Sequence, residues 1–479
     1  MSVRDSLKRL SGDSLVYGLG QVLGKVVNFL LVPVLTRVLV PEQFGVSENV
    51  TQYTASALLV LVFGMDGALA RFFYEQPDRT ARVRMVSSSF AFRLLTGGAV
   101  ALTLAAFATP LAGALLGGEV YAKYLRIGAL TLPATLFVLF SYDVLRVTFQ
   151  PWKFIALNLA WTLSVGGLTL YFVLGRHLGV AGALYGKLIG DACTAAFGLV
   201  LCRHHLKPVF DRDLLRRMLG YGLPLVPVSI SYAVIGAVDR ATLTRTFSPE
   251  AAGIYAVAMK FFAVITMGVS AFNLAFGAFA YARAKDPDAP KLYARVITLY
   301  VAFASLGALV VGVFAPALVA LLAPEKYASA ATPALWLTFA AAAQGAYPLA
   351  VLGITLALRT RLLVGIAALS AAVAIVANAL LVPRFGATGA AMATCLAHVA
   401  SAVAAYVVSQ RVYPLPFRSA RLVLLYGGAL ALGVAAVRLA PAGVAGVGTK
   451  LVAVLAFVAL AAVLEVWKDR GAVRHRPSS

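Results

Sequence analysis

Apolar stretches of about twenty residues recur along the whole chain, separated by short polar loops. A stretch of that length crosses the hydrocarbon core of a membrane as one α-helix. The pattern predicts an all-α polytopic membrane protein with about fourteen transmembrane helices. The predicted spans are 14–39, 49–73, 86–116, 123–147, 154–175, 180–202, 221–246, 253–280, 292–322, 331–357, 362–382, 387–409, 421–438 and 448–466.

Composition supports this class. Of the 479 residues, 61% are hydrophobic and only 13% are charged, whereas roughly a quarter of the residues of a soluble protein are charged. No loop between the predicted spans reaches the size of a catalytic domain. A soluble enzyme is therefore excluded.

Basic residues gather in every second loop rather than on one folded region. The net charge is +22, but its alternation with the spans is typical of loops that set topology and meet anionic lipid headgroups. This distribution argues against a nucleic-acid partner. We expect both termini on the cytoplasmic side, because basic loops stay there. The basic clusters lie at 79–84, 203–217, 283–295, 359–361, 411–421 and 468–476.

Two sequence repeats indicate an internal duplication. The segment LTRVLVPEQFGV at 35–46 is echoed by LTRTFSPEAAGI at 243–254, and LGVAGA at 178–183 by FGATGA at 385–390. The near-equal offsets place spans one to six in one block and spans seven to twelve in another. Six is even, so both blocks enter the membrane in the same direction. We expect two six-helix lobes related by a pseudo-two-fold along the membrane normal, plus two C-terminal helices.

The duplication sets the predicted domain organisation. Its parts are an N-lobe at 1–202, a cytoplasmic amphipathic linker at 203–220, a C-lobe at 221–409, and the last two spans with a basic tail at 410–479.

Lys25 is the deepest predicted cation of the first span. It lies about 16 Å into that span at 1.5 Å per residue, and it shares one helix face with Gln21 and Asn28. Ionisable groups at such depth are costly and mark functional sites or pair with a neighbour. We interpret this polar stripe as part of a water-filled, substrate-binding cavity; a carboxylate on another helix is the alternative partner for Lys25.

The second block carries charges in its first two spans. Asp239 and Arg240 point about 100° apart on one helix, so they serve different neighbours. Lys260 lies two turns from the outer surface and can snorkel or face the cavity. We predict Arg240 and Lys260 as substrate-binding residues, and an inter-helix structural pair is the alternative for Asp239 and Arg240.

Other charges are candidates for ion coupling or gating. Lys187 and Asp191 lie one helical turn apart and predict an internal neutralised pair or a coupling site. Asp143 and Arg146 share that spacing. Charges near span ends, including Arg93, are expected to be solvated or headgroup-bound, with a role at a cavity mouth as the alternative. The coupling and gating candidates are Asp66, Arg71, Lys187, Asp191 and Asp239.

The deep charges are mostly cations, which predicts an anionic cargo such as a phosphate or pyrophosphate. Neither metal-ligand spacing nor a cofactor motif is found, so no cofactor is predicted and the protein is not expected to be an enzyme. The run Asp211-Arg212-Asp213 resembles the Asp-x-Asp motif of glycosyltransferases, but Asp211 is better explained as the N-cap of an amphipathic helix. An integral-membrane glycosyltransferase is the enzyme alternative.

Several of these segments resemble one family. Residues 35–45 resemble the first hairpin linker of the polysaccharide-unit (O-antigen/exopolysaccharide) flippases, which belong to the multidrug/oligosaccharidyl-lipid/polysaccharide exporter superfamily. Residues 64–74 are similar to the end of that family's second span. Residues 221–224, the pair Asp239-Arg240 and residues 253–260 look like its seventh and eighth spans. The resemblance covers essentially the full chain.

The resemblance implies a V-shaped pair of six-helix lobes in the bacterial cytoplasmic (inner) membrane. It implies alternating access that moves undecaprenyl-pyrophosphate-linked oligosaccharide to the outer leaflet. The expected partners are this lipid-linked oligosaccharide and membrane lipid, with a polysaccharide polymerase as a further candidate; a monomer is expected.

Two other members of the superfamily remain alternatives. Peptidoglycan-precursor flippases hold pyrophosphate with cavity arginines, whereas Lys25 takes the deep position of the first lobe here. Ion-coupled small-molecule (drug) exporters share the fold but usually have twelve spans and lack a basic cavity.

Overall fold

A computed structural model describes residues 24–464, apart from 25, 28, 284–285, 358, 360, 417–418 and 441–443. The described residues form helices and turns and contain no strand. The all-α prediction is therefore confirmed.

Eighteen α-helices follow one another along this part of the chain. They are α1 Phe29–Val38, α2 Pro41–Leu61, α3 Met65–Phe72, α4 Arg79–Ala106, α5 Ala108–Leu116, α6 Ala122–Val147, α7 Pro151–Leu170, α8 Gly179–Cys202, α9 Arg212–Gly222, α10 Val226–Thr246, α11 Pro249–Ala282, α12 Ala289–Val313, α13 Ala315–Leu322, α14 Ala331–Ala350, α15 Leu352–Leu356, α16 Leu362–Val412, α17 Ser419–Leu439 and α18 Val444–Val463. Short 3₁₀ turns at Glu119–Tyr121, Arg203–His205, Leu223–Leu225 and Glu325–Ala330, and a π turn at Tyr171–Gly175, extend or join them.

Ten helices of the described chain are long and apolar enough to cross a membrane, or up to twelve if each of two bent pairs is one span. The bent pairs are α2 with α3 and α9 with α10. The backbone of Gly386, at φ 54° and ψ −132°, breaks α16 between the predicted spans 362–382 and 387–409. Helix α1 lies within the predicted first span.

Local sequence explains where these helices begin. Pro41 and Pro249 occupy the first helical position, where a missing N–H costs nothing. Asp211 accepts a hydrogen bond from the Leu214 N–H at 2.9 Å, so it caps α9 as predicted. Gly64, at φ 66°, supplies the left-handed residue that separates α2 from α3.

Contacts divide the chain into two units. The first unit comprises the described residues up to Val257 together with Leu322–Tyr327 and Ala367–Ala390. The second comprises Ala258–Leu321, Ala328–Ile366 and the described residues from Ala391 onward. The predicted lobes, 1–202 and 221–409, stay a prediction.

Each unit has its own apolar core. The first is centred on α3, α4 and α6 through Met65, Leu69, Met85 and Phe140. The second is centred on α12, α14, α17 and α18, where Leu309, Phe339, Leu425 and Phe457 are buried.

The two copies of the repeated linker meet inside the first unit. A Cβ built on Gly45 would overlap the carbonyl oxygen of Pro249, and one built on Gly253 would overlap that of Pro41. The contact is reciprocal between equivalent residues, so the repeat requires glycine at both positions for the same steric reason. We call this end of the first unit the linker end, and the opposite end, where α4 begins and α8 finishes, the basic end.

Candidate functional site in the membrane interior

The predicted cavity stripe of the first span, Gln21, Lys25 and Asn28, lies outside the described residues. Its neighbour Gly24 is described: a Cβ there would lie 3.2 Å from Thr162 Oγ1 and 3.4 Å from Asn158 Oδ1. The chain therefore runs past polar side chains of α7 at this point. The binding role of the three residues stays a prediction.

Arg240 lies in a buried contact between α2 and α10. Its Nη1 donates to Asn49 Oδ1 at 3.4 Å, and Asn49 Nδ2 donates to Thr244 Oγ1 at 3.1 Å. One turn further along, Gly236 of α10 lies against the side chain of Gln52. We call these five residues (Asn49, Gln52, Gly236, Arg240 and Thr244) the α2–α10 seam. It joins one copy of the duplicated sequence to the other.

Asp239 serves a different neighbour from Arg240, as the helical geometry predicts. The Tyr255 hydroxyl of α11 donates to Asp239 Oδ2 in a short hydrogen bond. Both Asp239 and Arg240 are buried. The two adjacent charges therefore connect α10 to α11 and to α2 respectively.

Further hydrogen bonds close the linker end. The Leu39 carbonyl accepts from Lys326 Nζ at 2.9 Å and from the Tyr327 hydroxyl at 3.1 Å. Tyr121 donates to Glu42 Oε1 at 2.5 Å. Together with the contact of Gly45 and Gly253, these hydrogen bonds hold the chain segments of the linker end against one another.

The fully buried carboxylate of Asp191 is the centre of a hydrogen-bond network in the first block. Within the described chain, its carboxylate accepts from Lys187 Nζ at 2.7 Å, from Thr135 Oγ1 at 2.5 Å and from Trp161 Nε1 at 2.7 Å. The predicted Lys187–Asp191 pair is confirmed. The donors Thr135 of α6 and Trp161 of α7 could not be predicted from the sequence, because they are neutral side chains that lie 56 and 30 residues from Asp191.

Arg93 is buried, contrary to the expectation from the sequence. It is fully buried, its Nη2 donates to Asp143 Oδ2 at 2.8 Å, and its guanidinium lies over the Phe140 ring at 5.6 Å. Its Nε and Nη1 have no hydrogen-bond partner within the described residues. The expectation of a solvated Arg93 was wrong, because α4 begins at Arg79 and carries this side chain deep against α6.

Asp143 is shared between two arginines. Arg146 Nη2 lies 3.4 Å from Asp143 Oδ1, so the predicted local pair exists alongside the buried one. The sequence carries one indication of the Arg93–Asp143 pair, because the two residues lie in neighbouring predicted spans near the same membrane face.

The remaining candidates are more accessible. Asp66 and Arg71 are exposed on α3, and the Arg71 guanidinium lies 5.0 Å from the centre of the Tyr221 ring. Lys260 is half-buried on α11 and belongs to the second unit. No group of three or more potential metal ligands occurs among the residues the structure describes.

The fold defines a class of protein. It is similar to the lipid II flippase MurJ in an inward closed conformation, with a TM-score of 0.74 at 12% identity over 94% of this chain and 98% of that one. It is also similar to a Vibrio cholerae MATE transporter, with a TM-score of 0.63 at 18% identity over 84% and 96% of the two chains. The fold is therefore the all-helical fold that these multi-pass membrane proteins share.

The sequence narrows the class to a family. Residues 11–280 match the family described as polysaccharide biosynthesis protein, and the chain belongs to that family. It is 25% identical over 282 residues to Lsg locus putative protein 1 of Haemophilus influenzae, across 57% of this chain. The match covers 66% of that relative, just under two thirds of its length.

Proposed function

We propose that this protein is a flippase that moves undecaprenyl-pyrophosphate-linked oligosaccharide units across the bacterial cytoplasmic membrane for polysaccharide or lipopolysaccharide biosynthesis. The supporting observation is the family match over residues 11–280, joined to a transporter fold. That segment contains every candidate binding cation, namely Lys25, Arg240 and Lys260. A lipid-linked anion is the cargo that such residues suit.

Arg240 has a state-dependent part in this proposal. In the structure its guanidinium is buried in the α2–α10 seam, with the neutral amide oxygen of Asn49 as an acceptor. For a guanidinium, a pyrophosphate oxygen is a stronger acceptor than an amide oxygen, because the phosphate carries negative charge. Opening of the seam at the linker end exchanges the first acceptor for the second. Gln21, Lys25, Asn28 and Lys260 keep in this proposal the substrate-binding role that the sequence predicts for them.

An ion gradient supplies the energy in this proposal, and Asp239 is the preferred coupling carboxylate. It is buried beside Arg240 and bonded to Tyr255, so a proton or cation bound there acts directly on the seam. Asp191 is the second candidate, but three donors already hold it within one block. Asp66, exposed on α3, is the third.

Neutralisation of the proposed cavity cations tests this function. In a strain that lacks the native copy, Lys25→Gln together with Arg240→Gln should abolish surface glycan while protein abundance stays normal. Lys123→Gln, an exposed cation of α6, is the matched control and should leave glycan unchanged. Lipid-linked oligosaccharide should accumulate on the cytoplasmic leaflet in the double variant. Normal glycan would contradict the cavity assignment.

The phenotype of the same strain distinguishes the two alternative functions. Increased drug sensitivity with unchanged polysaccharide would indicate a small-molecule exporter. Accumulation of the peptidoglycan precursor instead of the oligosaccharide lipid would indicate the other flippase class.

A further inference from the structure

A cavity of about 450 Å³ lies on the first unit at the basic end, away from the buried networks. It is formed between α4 and the segment that precedes α9. Its walls are apolar except for Ser87 and Lys207; the apolar members are Phe90, Ala91, Leu94, Leu206, Pro208, Val209 and Phe210. We call it the α4 groove. Its volume falls within the range of small-ligand sites.

The outer wall of the α4 groove is held in place by backbone hydrogen bonds. The Lys207 N–H donates to Ser87 Oγ at 2.9 Å, and the Asp211 N–H donates to Ser88 Oγ at 2.8 Å. Asp211 in turn caps α9. The segment 207–211 is therefore fixed to α4 at both ends, so the groove is a built feature of the fold.

Exposed apolar side chains and an adjacent amphipathic helix indicate that the groove opens at the membrane interface. Leu94 and Phe210 on its rim are 45% and 53% exposed, although both are large apolar side chains. Helix α9, which follows directly, buries Leu215 and Met218 and is amphipathic, as interfacial helices are. Apolar side chains on the outer face of a membrane-spanning helix meet lipid.

Exposed cations outnumber acids in the segments that adjoin the groove. Besides Lys207 on the wall, these segments carry Arg79, Arg84, Arg203, Arg212, Arg216 and Arg217, against Asp78, Asp211 and Asp213. Such a juxtamembrane basic cluster attracts anionic lipid. The combination of a hydrocarbon-lined slot and a cationic rim matches one molecule with an acyl chain and a phosphate.

We propose that the α4 groove binds one acyl chain of an anionic glycerophospholipid, with the phosphate of that lipid on Lys207. The source is bulk phospholipid rather than the cargo lipid, because exposed Leu94 lies on the rim of the groove and neither Arg240 nor Asp191 lines it. The site is independent of the proposed cargo. It fixes the linker between the two repeats to the membrane surface.

Native mass spectrometry of the purified full chain tests this site by titration with phosphatidylglycerol or phosphatidylcholine. Wild type should retain one phosphatidylglycerol in preference to phosphatidylcholine. Lys207→Gln should weaken that binding about fivefold, the worth of one basic residue near an anionic headgroup. Ala91→Trp, which fills the groove, should abolish it. The matched controls are Lys123→Gln, an exposed cation of α6 that does not line the groove, and Ala99→Trp, an exposed alanine of α4; both should bind as wild type.

Any of the following results would overturn the proposal. The first is equal retention of the two phospholipids, and the second is unchanged binding by Ala91→Trp. Another is displacement of phosphatidylglycerol by an equal concentration of undecaprenyl phosphate, which would identify the cargo lipid as the occupant of the groove. Lys207→Gln alters an exposed side chain, so its effect is measurable even if Ala91→Trp fails to fold; unchanged binding by this variant would also count against the site.

Discussion

Two buried polar regions of the first unit differ in what they connect. The Asp191 network joins α6, α7 and α8, which all belong to the first copy of the repeat. The α2–α10 seam joins the first copy to the second. Hydrogen bonds to Asp191 measure 2.5–2.7 Å, whereas those of the seam measure 3.1 and 3.4 Å.

The difference separates a rigid part from a part that can open. A carboxylate with a charged and two neutral donors in low dielectric is strongly held. The seam has a longer charge–amide contact, and the close backbone approach of Gly45 and Gly253 lies one helical turn before Asn49. Alternating access requires an element with two discrete arrangements. We infer that the seam is that element and that the Asp191 network moves as one body.

Loss of the Asp191 carboxylate should have the largest effect. Asp191→Leu leaves Lys187 charged and mostly buried, and breaking a buried pair in this way costs about 3–5 kcal/mol. We expect a large drop in the thermal unfolding temperature in detergent and loss of folded protein in the membrane.

The double change Lys187→Met with Asp191→Leu is the control for this prediction. It removes both charges, so it should recover most of the lost stability. If the single variant is as stable as wild type, the network does not hold the first block together.

Overpacking where the two copies of the repeated linker meet should have the next largest effect. Gly45→Ala places a methyl group on the Pro249 carbonyl, and overpacking of this kind costs about 1–3 kcal/mol. The cost falls on the closed seam, so the variant should favour the open arrangement. The measurement is maleimide labelling of Thr244→Cys in a Cys193→Ser background, which should become about tenfold faster per 1.4 kcal/mol.

Gly98→Ala is the matched control, since a Cβ there has no neighbour within 4 Å in the described chain. Both glycines lie inside helices, so both variants gain the same helix propensity. Equal labelling rates in the two variants would contradict a movable seam.

Much of the fold follows from the sequence, because it depends on local patterns. Apolar length gives the spans, Pro41 and Pro249 give helix starts, and Asp211 gives a cap. The linker repeat predicts a duplication, and the reciprocal contact of Gly45 and Gly253 is its steric consequence. Each of these features is encoded within a few residues.

The polar partners follow only where they are close in sequence. Lys187 and Asp191 are one turn apart, so their pair is predictable. Arg93 and Asp143 lie 50 residues apart, and Arg240 and Asn49 lie 191 apart. Which long-range donor meets which acceptor depends on helix packing, which one sequence does not reveal.

A negative charge introduced at Asn49 should keep the protein stable but abolish transport. Asn49→Asp gives Arg240 an ionised carboxylate in place of a neutral amide, and the opposite charges attract each other strongly in a buried contact. We expect a protein at least as stable as wild type that remains closed and no longer supports surface glycan. Asn49→Ala should instead lose about 1.5–3 kcal/mol, because the arginine loses an acceptor. Thermal unfolding and glycan level measure the two effects; glycan retained by Asn49→Asp would show that the seam does not open during transport.

The smallest effect is expected at Arg71, the exposed gating candidate at the basic end. Its ion pair with Glu75 is 3.9 Å long and more than half exposed, so it contributes about 0–1 kcal/mol. Its stacking on Tyr221 adds a similarly small amount. Arg71→Gln should therefore leave the unfolding temperature and the glycan level nearly unchanged, and Arg71→Lys should match it. If Arg71→Gln instead abolished glycan at normal stability, the opening element would lie at the contact of α3 with Tyr221, because the α2–α10 seam is untouched in that variant.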